Sequence, residues 1–381
     1  MRAEGAGPLA GIRVVEFAAL GPAPFAAMLM ADMGADVLRI DRPGSPGRDS
    51  DILNRGRASL VVDIKDPDAL ASLRRIIDVA DVLIEGFRPG VMERNGLGPD
   101  VVCAANPRLI YLRMTGWGQG GPLAERAGHD INYIAVAGAL APIGRAGQPP
   151  VPPLNLVGDF GGGSMFAALG IVAALYEREK SGRGQIIDAA MVDGTANLMA
   201  MYLSHQQGGR EGTGLESGAY FLDGSAPYYR CYACADGRYV AVGAIEPAFW
   251  RILLETSGVG TGLSQEPDDW PEASAQLEAL FLTRDRDDWI ELFEGRDACI
   301  APVLTYDELE SHAHLAARGT YVRQDGLLQP APAPRFSRSR TRIAGKPSQV
   351  GAGGDALAAS WLSSPPIAHQ SHPVTDNQGA P

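Results

Sequence analysis

The chain has 381 residues, of which 45% are hydrophobic, and its formal net charge is −12 at pH 7. This length allows two or three domains with a sizeable core. The acidic balance argues against nucleic acid or an anionic membrane as a general partner, because both would repel the protein. Four scattered cysteines and the lack of a charged, apolar leader favour a cytoplasmic location.

Strands and helices alternate through the first 115 residues. Helices are predicted over 24–33, where Gly34 follows, and between Pro67 and Ala80. Apolar, β-branched runs predict strands at 11–17, 35–41, 59–63, 81–85 and 109–113. The expected fold class is α/β, with a large Rossmann-like domain built on an open parallel sheet and a smaller α+β domain.

The turn after the first predicted strand argues against a dinucleotide cofactor. The Gly-x-Gly-x-x-Gly pattern is missing there, and Gly21-Pro22-Ala23-Pro24 stands in its place. The two prolines remove two backbone N–H donors from the position of the phosphate loop. We therefore expect no nicotinamide or flavin cofactor.

Cations gather near the predicted ends of these strands. Loops at the carboxyl ends of parallel strands bind ligands, and guanidinium groups suit phosphates. For any single arginine a surface pair with a nearby aspartate is the simpler explanation, but the cluster as a whole indicates an anionic ligand. The cations are Arg39, Arg42, Arg48, Arg55, Arg57, Lys65 and Arg88.

An uncharged run at 160–176 opens with a phenylalanine and three glycines and ends before a charged segment. A bilayer span needs about 20 apolar residues, so this shorter run predicts a buried core helix, from about Ser164 to Lys180, and no membrane partner.

Composition divides the chain into two domains. We expect a large domain over 1–200 that is completed by 330–362, and a small domain over 227–320. A linker is predicted at 201–226, which is rich in glycine and polar residues, and a disordered tail at 363–381. His312 and His314 lack a third ligand, so no metal site is predicted.

Many short blocks, in one order, resemble the family III CoA-transferase superfamily and, within it, the α-methylacyl-CoA racemases, from Pro8 to about Trp361. The blocks include Gly34-Ala35-Asp36-Val37, Asp41-Arg42-Pro43-Gly44, Glu85-Gly86-Phe87-Arg88-Pro89-Gly90, Gly128-His129-Asp130-Ile131-Asn132-Tyr133, Gly158-Asp159-Phe160-Gly161-Gly162-Gly163, Gly243-Ala244-Ile245-Glu246-Pro247 and Asp297-Ala298-Cys299-Ile300-Ala301-Pro302.

This resemblance implies an acyl-CoA substrate and a homodimer of two interlocked subunits. It places CoA contacts at Arg42, at the turn formed by Val62, Asp63, Ile64 and Lys65, and at Gly128, Asp130, Ile131, Asn132 and Tyr133. The cation cluster adds Arg39 and Arg88 as candidate phosphate contacts. The CoA thioester is then the substrate, and no separate cofactor is expected.

His129 and Asp159 are the candidate acid/base pair. Neither an imidazole nor a carboxylate is a strong base, so the enolate formed on removing an α-proton from a thioester must be stabilised. We expect the amides of Gly161, Gly162 and Gly163, at the start of the predicted helix, to do this. A hydrogen-bonding histidine and an aspartate that caps a helix are the structural alternatives.

Glu246 ends an apolar strand and precedes Pro247. Its carboxylate could orient the imidazole of His129, or it could cap the helix that starts near Pro247, and the sequence favours neither.

The resemblance implies an isomerase that epimerises 2-methyl-branched acyl-CoA thioesters by two-base proton transfer through an enolate. The alternative within the superfamily is a CoA-transferase in which Asp159 is the covalent nucleophile. His129 favours the racemase, because covalent exchange needs no second acid/base. A third hypothesis is a non-catalytic acyl-CoA-binding protein.

Overall fold

The computed structural model describes residues 6–47, 50–209 and 217–364. They divide into two units. Unit 1 holds the described residues within 1–133, 156–195 and 319–381, and unit 2 holds those within 134–155 and 196–318. Three separate stretches of the chain therefore build unit 1.

A parallel sheet forms the centre of unit 1. Its strands are β1 Arg13–Phe17, β2 Asp36–Asp41, β3 Ala58–Val61, β4 Val82–Glu85, β5 Ile110–Thr115 and β6 Ile186–Ala190. They are ordered β3-β2-β1-β4-β5-β6, and every neighbouring pair is parallel. The order reverses between β1 and β4, which is where open α/β sheets leave a ligand crevice at the carboxyl ends of the strands. The predicted α/β fold class is confirmed.

Helices pack on both faces of this sheet. They include α1 Pro22–Asp32, α2 Pro67–Ile77, α3 Val91–Arg94, α4 Pro99–Ala105 and α6 Phe166–Ser181, with a π-helical segment, Leu156–Met165, directly before α6. Two further helices, α5 Asp130–Val136 and α7 Met191–Leu198, each begin in unit 1 and end in unit 2. Val14 belongs to the apolar cluster that contains α1 and α6, whereas Val15 belongs to the cluster that contains α2. This split follows from the alternation of side chains along a strand.

Unit 2 combines a small antiparallel sheet with helices. Its elements are α8 Ala200–Gly208, β7 Tyr229–Ala233, β8 Tyr239–Gly243, α9 Pro247–Ser257, α10 Trp270–Phe281, α11 Arg286–Leu292, β9 Ile300–Pro302 and α12 Ala313–Arg318. The strand order is β7-β8-β9. Large aromatic side chains, including Trp250, Trp289 and Phe281, fill the core.

The boundaries of the units differ from those expected from composition. The stretch predicted as a linker, 201–226, contains most of α8, and its Tyr220 and Phe221 are buried in the core of unit 2. The stretch 134–155 also belongs to unit 2 and not to the large domain. The glycine-rich composition of this segment predicted a linker, but a few aromatic side chains are enough to pack it into the core of unit 2. Residues 210–216 lie outside the described residues.

The end of the chain returns to unit 1. It forms the hairpin β10 Tyr321–Gln324 and β11 Leu327–Pro330 and then α13 Gly354–Ser363. The amide of Ser59, in β3, donates to the carbonyl of Ala352 at 2.9 Å. Trp361 is 2% exposed in the core of unit 1. The predicted tail lies, apart from its first two residues, outside the described residues.

The π-helical segment and α6 form one helical stretch, 156–181, that is long enough to cross a membrane, and an 18-residue window within it has a mean hydropathy of 1.5. The core helix of a soluble protein has the same length and composition. One side of α6 is buried in unit 1, through residues such as Ile171 and Ala174. Leu169 and Tyr176, on another side, are 64% and 66% exposed. The prediction of a buried helix is therefore wrong for this exposed side.

Candidate active site

A cavity of about 580 Å³ lies at the carboxyl ends of β1 and β2, within unit 1. Phe17 and Asp41, the last residues of these strands, both line it. Among its other lining residues are Arg39, Arg42, Val62, Ile64 and Phe87. The cavity thus occupies the edge of the sheet where the sequence predicted an anionic ligand.

Arg39 reaches this cavity although it is only 4% exposed. Its Nε donates to Asp41 Oδ2 at 2.7 Å, and the hydroxyl of Ser59 donates to the same oxygen at 2.6 Å. Arg39 Nη1 is buried, and among the described residues it has no hydrogen-bond partner. One end of the guanidinium is therefore fixed, and the other retains donor capacity for a ligand oxygen.

Two arginines of the predicted cation cluster serve the fold instead. Arg55 donates to both carboxylate oxygens of Asp32, at 3.1 and 2.5 Å. Arg57 pairs with Glu16, and both side chains are fully buried. Burial raises the pKa of the Glu16 carboxyl, and the adjacent Arg57 opposes this rise. These two arginines are in ion pairs and not free for a ligand, but the pairs are buried and not on the surface, and the partner of Arg57 is a glutamate.

The remaining predicted CoA contacts in the first part of the chain are exposed or line the cavity. Arg42 is exposed directly after β2 and lines the cavity. Val62, Asp63, Ile64 and Lys65 follow β3, and Val62 and Ile64 line the same cavity. Arg88 is exposed after β4. Arg48 lies outside the described residues.

His129 immediately precedes α5. Its carbonyl accepts from the amides of Asn132 and Tyr133, at 2.8 and 3.3 Å, and its own amide donates to Asn132 Oδ1 at 3.0 Å. These bonds satisfy backbone groups at the start of the helix and fix the backbone of His129. The residue itself is exposed, so its imidazole is accessible in unit 1.

Tyr133 packs beneath this turn. A Cβ on Gly128 would lie 2.7 Å from its ring, and one on Gly116 would lie 2.0 Å from it, so neither position accepts a side chain. Burial raises the pKa of the Tyr133 hydroxyl, the charge of Asp159 raises it further, and Arg88 opposes both. Tyr133, Asp159 and Arg88 are therefore electrostatic neighbours. The exposed Ile131 and Asn132 lie on the same turn.

Asp159 lies in the first turn of the π-helical segment and is half-buried. Its amide donates to Asp130 Oδ2 at 2.7 Å, and its carbonyl accepts from the Ser164 hydroxyl at 3.0 Å. The Ser164 hydroxyl also lies 2.8 Å from the carbonyl of Pro22, at the start of α1. Because Asp130 adjoins His129, the hydrogen bond from Asp159 to Asp130 links the turns that carry the two candidate acid/base residues.

The glycine run has a different role from the one predicted. Gly161, Gly162 and Gly163 lie inside the π-helical segment, where amides bond to carbonyls five residues earlier, and the helix starts at Leu156 instead of Ser164. A Cβ on Gly162 would lie 2.6 Å from Thr195 Oγ1, and one on Gly163 would lie 2.9 Å from Met191 Cγ. These glycines allow close packing against α7, and the prediction that their amides stabilise the enolate is wrong.

Sequence reasoning missed Gly21, which has φ +69° and ψ −110°. A Cβ on this residue would lie 2.8 Å from Asp159 Oδ2. The position therefore requires glycine for its backbone conformation and for its contact with the Asp159 carboxylate. The sequence signal for this position is a glycine directly before Pro22 at the start of a predicted helix.

Glu246 occupies the N-cap position of α9 in unit 2 and is exposed. Its side chain makes no capping hydrogen bond to α9, so the structure does not support the capping alternative. The orientation of His129 by Glu246 stays a prediction.

Comparison with known proteins places the site in a family. Residues 9–353 match the model of CoA-transferase family III. The chain is 46% identical to the alpha-methylacyl-CoA racemase of Mus musculus over 337 residues, 87% of each chain, and 46% identical to that of Homo sapiens over 332 residues, 86% of each chain. A CAIB/BAIF family protein from Brucella suis has a similar structure, with a TM-score of 0.79, 25% sequence identity and coverage of 93% of this chain and 100% of that one. The chain belongs to CoA-transferase family III.

Proposed function

We propose that this chain is an isomerase that inverts the α-carbon of 2-methyl-branched acyl-CoA thioesters. The observation that carries the proposal is the hydrogen bond from the Asp159 amide to Asp130, the residue that follows His129. It brings together the turns that carry an imidazole and a carboxylate, and removal of a proton from one face with return to the other requires two such proton-carrying groups. The 46% identity to two alpha-methylacyl-CoA racemases supports the substrate class.

In the proposed reaction the base on one face takes the α-proton, and the electron pair of the C–H bond moves into an enolate. The group on the other face, already protonated, returns a proton to the α-carbon. With His129 as base, the imidazole becomes imidazolium and the Asp159 carboxylic acid becomes a carboxylate. The reverse reaction exchanges these two roles.

Enolate stabilisation needs donors other than the glycine amides. The helix that runs through the π-helical segment and α6 begins at Leu156, so its positive end lies at the turn that carries Asp159. We propose that the dipole at this end, together with first-turn amides that lack helical partners, favours the negative charge of the enolate oxygen.

The CoA handle is proposed to bind in the cavity at the carboxyl ends of β1 and β2. Arg42 and Arg39 Nη1 would meet its phosphates, and Val62 and Ile64 supply apolar contact. The thioester itself acidifies the α-proton, so the proposed reaction uses no cofactor. We also propose a cytoplasmic location.

A homodimer is part of the proposal. Leu169 and Tyr176 form an exposed apolar face of α6 that is costly to leave in water, and a second copy of the chain is the proposed occupant. Light scattering after size-exclusion chromatography should give twice the mass of the chain, and Leu169→Glu should shift the species towards the monomer. A wild-type monomer at micromolar concentration would contradict the dimer.

The function is tested with a single epimer of a 2-methylacyl-CoA in deuterated water, followed by NMR. We expect deuterium to enter the α-position while the other epimer accumulates. The same sample receives a free carboxylic acid in a second experiment. Transfer of CoA to that acid without α-exchange would support the transferase, and binding with neither reaction would support a non-catalytic protein.

A further inference from the structure

Asp130 is a buried carboxylate in the middle of the candidate site. It is 7% exposed and lies in the first turn of α5. Its Oδ2 accepts the Asp159 amide at 2.7 Å. Its Oδ1 is also buried and, within the described part of the chain, has no hydrogen-bond partner. The carboxylate therefore has a single hydrogen-bonding task that the structure identifies.

The position of the Asp159 amide, which donates this hydrogen bond, shows why the bond is informative. The first amides of any helix lack partners within it, and Asp159 is in the first turn of the π-helical segment. An exposed amide there would bond to water at no structural cost. The chain instead buries an acidic side chain, which costs free energy that its hydrogen bond to the Asp159 amide partly offsets.

We propose that Asp130 is a positioning residue that fixes Asp159 relative to His129. The backbone of His129 is held by its bonds with Asn132 and Tyr133, and Asp130 is the next residue. The hydrogen bond between Asp130 and the Asp159 amide then holds the backbone of Asp159 at a fixed distance from the backbone of His129. The inference rests on the proposed two-base reaction and assigns Asp130 a role in kcat.

The competing role for Asp130 is a contact with CoA, which the resemblance to family III CoA-transferases implies. The geometry favours positioning, because Oδ2 is already occupied by the Asp159 amide and the side chain is buried. A CoA contact would make KM sensitive to the side chain. A positioning role makes kcat sensitive and leaves KM nearly unchanged, since misplacement by about 1 Å can cost about 100-fold in rate.

The test compares Asp130→Ala with Asp130→Asn. Asparagine keeps an oxygen that can accept the Asp159 amide, and its Nδ2 replaces Oδ1, which has no hydrogen-bond partner among the described residues. Asp66→Ala is the matched control, because Asp66 Oδ1 accepts the Asp68 amide at 2.9 Å in the first turn of α2. Steady-state epimerisation gives kcat and KM, and hydrogen exchange of the peptide that contains Asp159 reports the amide bond without any assay of activity.

For Asp130→Ala we expect kcat to fall about 100-fold with KM within about twofold, and the Asp159 amide to exchange faster. Asp130→Asn should keep both kcat, within about threefold, and amide protection, while Asp66→Ala should leave kcat unchanged. Faster exchange with unchanged kcat in Asp130→Ala would overturn the positioning role, as would equal loss of kcat in both Asp130 variants or a rise in KM alone. Failure of the wild type to epimerise would instead refute the proposed function, and the exchange result would still test the hydrogen bond.

Discussion

Units 1 and 2 differ in charge and in the way that their cores are built. Unit 1 contains 24 lysines and arginines and 25 carboxylates, whereas unit 2 has nine arginines, no lysine and 20 carboxylates. The core of unit 1 is mainly aliphatic, and buried ion pairs such as Arg57–Glu16 lie within the unit. The core of unit 2 is rich in aromatic side chains. Nearly all of the net charge of −12 therefore belongs to unit 2.

This contrast in charge indicates which unit favours an anionic ligand. A ligand with several phosphates is repelled by the field of unit 2 and meets a nearly neutral unit 1 with unpaired donor capacity at Arg39. His129 and Asp159 also belong to unit 1, and only Glu246 among the candidate site residues belongs to unit 2. We therefore expect substitutions in unit 1 to affect catalysis more than substitutions in unit 2.

The largest effect is expected from the acid/base pair. His129→Ala and Asp159→Ala should each lower kcat for epimerisation by about 1,000-fold or more, because each removes one of the two proton carriers. Glu246→Gln, in unit 2, should cost about tenfold if it only orients His129. Full activity in either alanine variant, or a larger loss in Glu246→Gln than in both, would contradict the assignment of chemistry to unit 1.

A smaller effect is expected from Gly21→Ala. The new methyl group would meet the Asp159 carboxylate at 2.8 Å, so we expect that group to shift and kcat to fall about 100-fold. Gly353→Ala is the control: Gly353 also has a positive φ, +76°, at a helix N-cap, but its nearest contact is Ala58 Cβ at 3.7 Å. Both variants should melt at a lower temperature. Equal activity in the two would show that backbone strain alone explains Gly21.

The smallest predicted effect is a difference in acid stability. Burial raises the folded-state pKa of Glu16 and Glu85 in unit 1 above 4.5, so their contribution to stability is complete below pH 4.5 and is lost as pH rises through the folded pKa. The hydrogen bond from Arg286 lowers the pKa of Glu308 in unit 2, so its contribution is present above pH 4.5 and is lost as pH falls.

Hydrogen exchange at pH 6 and pH 3.5, corrected for the intrinsic rate at each pH, measures this difference. Peptides from α11 in unit 2 should lose protection at the lower pH, whereas peptides from β1 and β4 in unit 1 should lose less. Glu308→Gln should reduce the change with pH in the peptides from α11. Equal loss of protection in the two units would contradict the predicted contrast.

The sequence was a good guide to the sheet. The predicted strands around Val15, Leu38 and Leu83 lie within one or two residues of β1, β2 and β4. Buried parallel strands are continuous apolar runs with turn residues at both ends, so their pattern depends little on distant contacts. The cavity at their carboxyl ends follows from the same rule.

Features that depend on contact between distant segments could not be predicted in this way. Three successive glycines have low helical propensity, so the sequence predicted a helix only from about Ser164 and not through Gly161–Gly163. Close packing against Met191 and Thr195 outweighs that propensity in the folded chain. The bond between Asp130 and Asp159 likewise joins residues 29 positions apart, and neither local pattern carries a sign of it.

The three-part construction of unit 1 sets an order of events during synthesis. Trp361, which fills the core beside β1 and whose carbonyl accepts from Arg13, leaves the ribosome after every residue of unit 2. Unit 2 can thus close its core while unit 1 still exposes the site that Trp361 will cover. A nascent chain that has emerged from the ribosome only as far as Arg318 would present a complete acidic unit 2 attached to a unit 1 that still lacks its last segment.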